Sequence, residues 1–427
     1  MSGTSRRVQC CIAGGGPAGM MLGLLLARAG VTVAVLEKHA DFLRDFRGDT
    51  IHPSTLEVMA ELGLLEELLT LPHQKVRRLT AQIGASTLVM ADFSGLPTRC
   101  KFVAFMPQWD FLSFLSRHGA RYPGFALTMR AEAKGLIRSD GRICGVRAET
   151  PEGPLDIAAD LVVAADGRHS ILRAEAGLPV EELGAPIDVL WFRLSHAPEH
   201  PAQTMGRFVA GGIFVMIDRG AYWQCGLVIA KGGYQAVRSA GLPALRSRIV
   251  RLAPFLAGQV DELEDWDQVK LLTVQVDRLT RWHEPGFLCI GDAAHAMSPV
   301  GGVGINLAIQ DAVAAANRLA APLRDGLVTE DDLEAVQRRR MLPTRVTQAL
   351  QLMVQNRVIA PLLGSDEDPT PPLVLRILAG IPTLRQIPAR IVGLGVRPEH
   401  VRTPIWIEGS ETGGGQGGAP ALPVGHV

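Results

Sequence analysis

The chain has 427 residues, 47% of them hydrophobic and only 20% charged, and its 43 basic residues balance its 43 acidic ones. That length exceeds one ordinary core and predicts two domains, while the neutral balance gives nothing that favours nucleic acid or another acidic polymer as partner. Residues 8–13 (VQCCIA) read as a buried strand, 14–19 as a glycine-rich turn, 20–29 as a helix and 31–36 (VTVAVL) as a second strand, which completes a βαβ unit. A helical pattern over 53–70 is broken at Gly63, a short strand-like pattern covers 80–106, and 109–118 is helical. Turn signals such as SDG and PEG divide 125–165 into a strand meander that ends in DLVVAA, directly before Asp166 and Gly167. Residues 185–232 hold Trp191, Phe192, Phe208, Phe214, Tyr222 and Trp223 among turn residues and predict a mostly antiparallel sheet. GFLCI (286–290) is a last buried strand, and long helices follow at about 303–320 and 330–357.

The six cysteines form no CxxC pair and show no metal-ligand spacing. They read as small apolar residues in a reducing compartment, and no metal is expected. The N-terminal stretch lacks a hydrophobic segment with a cleavage site, no run is long enough to span a bilayer, and the chain reads as cytoplasmic.

Gly14, Gly16 and Gly19 form a GxGxxG between the first strand and helix. The first glycine permits the turn, the second lets a pyrophosphate approach the backbone, and the third lets helix and strand pack closely. Glu37 closes the second strand at the offset expected for an acid that holds a ribose hydroxyl. The later stretch GDAAHAMSPVGGVGIN repeats strand, glycine turn and helix without dinucleotide spacing. There Asp292 suits a ribityl hydroxyl, the glycines at 301–304 leave room for a flat ring, and the amides near Ile305 and Asn306 point to a ring carbonyl. This combination favours a flavin over a nicotinamide as the resident group.

Three motifs in this order, GxGxxG with Glu37, DLVVAADGRHSILR, and GDAAHAMSPVGGVGINLAIQDA, resemble those of the class A FAD-dependent monooxygenases with the para-hydroxybenzoate hydroxylase fold. The resemblance implies an α/β fold. A Rossmann-like FAD-binding domain (1–80, 101–183 and 271–360) is interleaved with a mostly antiparallel substrate-binding sheet (81–100 and 184–270). A C-terminal helical cover (361–408) and a disordered tail (409–427) follow. It implies that Gly14, Gly16, Gly19 and Glu37 hold the ADP half of FAD, with Arg47 nearby and Gln108 at the cofactor's middle. Asp166 and Gly167 would serve FAD and the nicotinamide donor, Asp292 the ribityl chain, and Gly304, Ile305 and Asn306 the flavin ring by backbone. Pro299 would lie beside the flavin and face substrate.

The activity implied is oxygen transfer from O2, with NADH or NADPH as electron donor and a flavin C4a-hydroperoxide as oxidant, to a hydrophobic aromatic or polyketide-like molecule. Alternatives are an FAD-dependent reductase or dehydrogenase of an isoprenoid or quinone, and a non-catalytic flavin-binding protein. Val303 departs from the family's polar residue, and Tyr122, Tyr222 and Tyr234 are the only tyrosines, so no phenol-deprotonating relay is recognisable. Tyr222, His52, His196 and Asp49 are candidate cavity-facing groups, while His295 reads as a strut of the loop. Residues 369–398 carry Arg376, Arg385, Arg390 and Arg397 with no acid. Contact with a membrane surface is weighed for them, but a cover packed on the FAD domain is favoured because prolines interrupt any long helix.

Overall fold

The computed structural model describes residues 4–43, 50–200, 205–363, 365 and 367–406. Among these an eight-stranded sheet and a seven-stranded sheet carry the architecture. The strand Thr4–Ala13 is central to the first, with Gly153–Ala164 parallel on one side and Val33–Glu37 parallel on the other. Phe125–Met129 extends the parallel set beyond Val33–Glu37, and Phe287–Cys289 extends it beyond Gly153–Ala164. Continuous apolar sequence is what such strands need, because both faces are buried; Cys10 to Ala13 and Leu161 to Ala164 are all fully buried.

Only part of the expected meander at 125–165 exists. Glu132–Ser139, Arg142–Thr150 and Gly153–Ala164 form it by antiparallel pairing, whereas Phe125–Met129 belongs to the parallel set. A five-residue strand carries no sign of its partner, so alternation with turn residues could not reveal the parallel crossover.

Helix Pro17–Arg28 opens with proline in its first turn and buries every residue from Ala18 to Ala27. It is enclosed because helices Gln108–Gly119 and Gly304–Asp325 both pack along it. That long helix ends at Gly326 in the left-handed conformation, and the next, Glu330–Val354, begins with a capping box between Thr329 and Asp332. A π-helical turn, Gln355–Ile359, extends it.

The second sheet runs in the order Lys270–Leu272, Ile187–Ser195, Tyr222–Ala230, Gly212–Asp218, Met205–Val209, Arg78–Ile83, Ser86–Asp92. Its pairings are antiparallel except the one between Met205–Val209 and Arg78–Ile83. Strand alternation sends Phe192, Leu194, Phe214, Trp223 and Cys225 outward, into a core shared with Leu245, Ile249 and Leu252 of helix Leu242–Leu252. The other face presents Val189, Trp191, Ile213 and Val228 toward Val300 and Ile359 of the first domain.

Helices Leu373–Gly380 and Gln386–Gly393 pack on the edge strand Ser86–Asp92, and the second also meets the dinucleotide half, where Val392 accepts from His52. Ala389, Val392 and Leu394 fill an apolar cluster with Phe93, Leu96 and Ile217, which leaves the outward Arg376 and Arg390 in solvent. After Arg397 the chain crosses back to the first domain. Arg28 donates to the Thr403 carbonyl at 2.7 Å, and the indole of Trp406 rests on Gly30. No described helix is long and apolar enough to cross a membrane.

Candidate functional site

Four strand ends build the site. The register places Leu36, Ala13, Ala164 and Cys289 in one row across the parallel sheet. The residues that follow them, or end them, are Glu37, Gly14, Asp166 and Asp292. Carboxyl ends of parallel strands are where open α/β sheets bind ligands.

At Gly14, φ is +108° and a Cβ would lie 2.3 Å from the Ala165 carbonyl oxygen, so only glycine fits between the two strand ends. At Gly19 a Cβ would lie 2.0 Å from the Gly14 carbonyl oxygen, which is the close packing of helix on turn. Gly16 faces open space instead. It caps helix Pro17–Arg28, whose free amides and positive dipole end are directed at that opening. Glu37 is buried and accepts from the amides of Gly15 (3.1 Å) and His39 (3.0 Å), which fixes its carboxylate beside the turn.

One carboxylate oxygen of Asp166 is buried without a partner among the described residues. Burial pushes this carboxyl up, against the lowering effect of the Ser170 hydroxyl and nearby backbone amides. An orphaned acceptor beside a glycine turn that no side chain fills fits the hydroxyl-rich, phosphate-bearing spine of FAD. Asp292, half-buried, faces Arg168 at 3.5 Å, an arginine that sequence reasoning passed over inside DGRHS. Arg173 of the same motif is a strut. It reaches Asp277 through both terminal nitrogens (3.3 and 3.2 Å) and the carbonyl of Ala293 (3.4 Å), locking the middle motif to the late one. Asp277 lies in no recognisable motif, and no local signal marks it.

The late loop is held from behind by buried ions. His295 Nε2 donates to Asp311 at 2.6 Å, and Arg340 Nε donates to the other oxygen of Asp311 at 2.9 Å. Burial alone would push the Asp311 carboxyl up, but His295 and Arg340 hold it below the ordinary carboxylate range. Arg340 also reaches Glu399 (3.4 Å) and the Arg397 carbonyl (3.3 Å), so the returning C-terminal segment is part of the network. The strut role read for His295 therefore has a partner on the following helix.

Gly304, Ile305 and Asn306 begin helix Gly304–Asp325, and their amides lie in its first turn, where no carbonyl of the same helix can receive them. The Asn306 side chain is committed elsewhere. It accepts from the His52 amide (2.9 Å) and the Thr55 hydroxyl (2.7 Å) and donates to the Thr50 carbonyl (3.2 Å). Gln108 is buried at the start of helix Gln108–Gly119. Pro299 is half-buried where the loop turns toward the second sheet. An apolar cavity of about 150 Å³ borders the same loop, with Val300, Val303, Leu307, Val354, Val392 and Leu394 in its walls.

Of the remaining candidates, His52 adjoins the loop but is committed to structure, and Tyr222 and His196 lie at the far end of the second sheet. His52 is buried and its Nδ1 donates to the Val392 carbonyl at 2.7 Å, fastening the C-terminal cover. Burial pushes its imidazole down to about 4, against the raising effect of that carbonyl, so it is neutral at physiological pH and a poor proton acceptor. Tyr222 pairs with Ser195 at the far end of its strand, under the Arg193 guanidinium at 5.0 Å. Six residues separate Ser195 from Val189, the position that meets Val300, a distance of about 20 Å along a strand. His196 stacks on Trp223 at that same far end, 4.7 Å between centroids. Arg47 and Asp49 lie outside the described residues.

Residues 7–349 match the profile of the FAD binding domain family. Over 407 residues the chain is 32% identical to 6-methylpretetramide 4-monooxygenase of Streptomyces rimosus, an alignment covering 93% of this chain and 95% of that protein. Two solved structures share the fold. One is p-nitrophenol 4-monooxygenase PnpA of Pseudomonas putida DLL-E4, with TM-score 0.72, 18% identity, and 90% and 94% of the two chains covered. The other is OxyS anhydrotetracycline hydroxylase of Streptomyces rimosus, with TM-score 0.70, 22% identity, and 92% and 77% covered.

Proposed function

The chain belongs to this family, the class A flavoprotein monooxygenases with an FAD binding domain, and on that premise we propose that it oxygenates a hydrophobic aromatic molecule of the polyketide type. It is an FAD-dependent monooxygenase. The substrate class is supported by the 6-methylpretetramide named in the relative at 32% identity and by the apolar surroundings of the late loop.

When bound, FAD accepts electrons from NADH or NADPH and activates dioxygen. The chain's own part is placement and exclusion of water. Gly14 and Gly16 admit the pyrophosphate to the helix end, Glu37 serves the adenosine ribose, and Asp292, steadied by Arg168, serves the ribityl chain. The amides of Gly304 to Asn306, in the first turn of a 22-residue helix, would hold the flavin and favour negative charge there. Substrate is positioned between Pro299 and the inner face of the second sheet, where Val189, Ile213 and Val228 keep the site dry. With His52 neutral and fastened and Tyr222 far off, no side chain is assigned as general base.

The observation that carries the reading is the single row of four strand ends bearing Gly14, Glu37, Asp166 and Asp292. Its test is to purify the protein, record the visible spectrum, and follow NADH and NADPH oxidation with oxygen uptake across apolar aromatic, quinone and polyketide compounds. A yellow protein whose oxygen consumption rises with one compound and gives a product heavier by one oxygen atom is the expected result. Anaerobic reduction of the compound instead, or a protein that cannot be loaded with FAD, refutes it.

A further inference from the structure

Helix Glu330–Val354 and the π turn that follows carry glutamines at 348, 351 and 355 on one face. Two of them grip the backbone on either side of Pro299. Gln348 Nε2 donates to the carbonyls of Asp277 (2.7 Å) and Ala296 (3.1 Å). Gln351 accepts from the Ser298 amide (3.2 Å) and donates to the carbonyls of Ser298 and Val300 (2.9 Å each). The third does neither. Gln355 is fully buried, and both its Nε2 and its Oε1 lack any hydrogen-bond partner among the described residues.

Its neighbours along the helix locate it. Four residues earlier, Gln351 touches Ser298 and Val300; four residues later, Ile359 packs among Val189, Ile213 and Val228 of the inner sheet face. Gln355 therefore falls where the Pro299 loop meets that face, next to Gln351 and Val354 in the wall of the apolar cavity beside the loop. It also opens the π turn, and such insertions into helices recur at functional sites. Buried amides are almost always satisfied in native proteins, so one with both ends unmatched calls for a partner from outside the chain.

We propose that Gln355 is a specificity-determining residue of this monooxygenase, pairing through its carboxamide with a planar donor–acceptor pair on an otherwise apolar polycyclic substrate. A primary carboxamide presents that pair directly, an N–H beside a carbonyl oxygen, and an enolised β-dicarbonyl, whose O–H is closed on its own carbonyl, adds acceptor oxygens. A hydrocarbon ring, or one with a lone ether, does not present the pair. This inference rests on the polyketide reading above.

Anhydrotetracycline, the molecule named in the OxyS relative, carries both groups and serves as the probe. FAD-loaded wild type, Gln355→Met and Gln355→Leu are titrated with it by calorimetry, and their thermal midpoints are compared without ligand. Expected is at least a tenfold loss of affinity in both variants, with full FAD content and a thermal midpoint equal to or above that of wild type. Removing an unsatisfied amide costs the empty fold nothing. Unchanged affinity in the variants overturns the assignment alone. A midpoint lowered by several degrees also overturns it, since it marks an amide already satisfied inside the fold. A wild type that loads FAD yet neither binds nor oxygenates any polyketide overturns the substrate class and this inference together.

Discussion

Replacing His52 by asparagine tests whether this histidine is an anchor or a base. The asparagine amide can take over the donation to the Val392 carbonyl and is itself a good cap for helix Pro53–Glu61, so contacts are kept while the titrating group is lost. In the fold the imidazole sits at about 4 against an ordinary 6.5. Between those values the unfolded chain binds a proton that the folded one refuses. The stabilisation is complete above pH 6.5, drains away as pH falls through the window, and loses nothing further below about 4. Two and a half units at about 1.4 kcal/mol each gives about 3.4 kcal/mol in full, of which about 2 kcal/mol is gone by pH 5. Urea unfolding of the FAD-loaded protein at pH 7 and pH 5 measures it. The wild type should lose about 2 kcal/mol more between the two than His52→Asn does. Equal losses would refute the buried neutral state, and a collapse of turnover in His52→Asn with stability intact would restore histidine 52 as a base.

Three further outcomes follow from the site. Gly19→Ala places a methyl 2.0 Å from the Gly14 carbonyl oxygen, so helix and turn must part by at least about 1 Å. Absorbance near 450 nm per protein chain should show at least a tenfold loss of bound FAD. Asp292→Ala should lose most of its FAD while circular dichroism remains unchanged, and a full load would remove Asp292 from the role given it. Arg340→Met leaves Asp311 and Glu399 buried without their shared cation, a loss of about 3–5 kcal/mol that a lowered urea midpoint would report.

The cofactor half was legible because its chemistry is local. Gly14 to Gly19 and Gly291 to Asn306 are short stretches in which strand end, turn and helix start follow one another, so spacing alone carries their local structure. What escaped depends on residues far apart in the chain. Asp277 becomes important only because Arg173, 104 positions earlier, reaches it. His52 reads as a free histidine until Val392, 340 positions later, takes its proton donor. Tyr222 could be assigned to the aromatic sheet, but not to the end of the strand remote from Pro299, because that follows from register. The cover was foreseen as helices on the FAD domain, and its further seat on the edge strand Ser86–Asp92 was not, since an amphipathic face names no partner.

The row of strand ends also sets an order of events during synthesis. One end of it is available early, from Thr4–Ala13 and Val33–Glu37, but the member at the other end, Phe287–Cys289, leaves the ribosome some two hundred and fifty residues later, and the segment from Arg397 to Trp406 later still. Until then the apolar edge of Gly153–Ala164 lacks its neighbour, and the face of helix Pro17–Arg28 lacks helix Gly304–Asp325. Such delayed pairing slows folding and leaves sticky surface open to other chains. Held as proposed by all four strand ends, FAD can act as a folding ligand only once the chain has been made through Asp292.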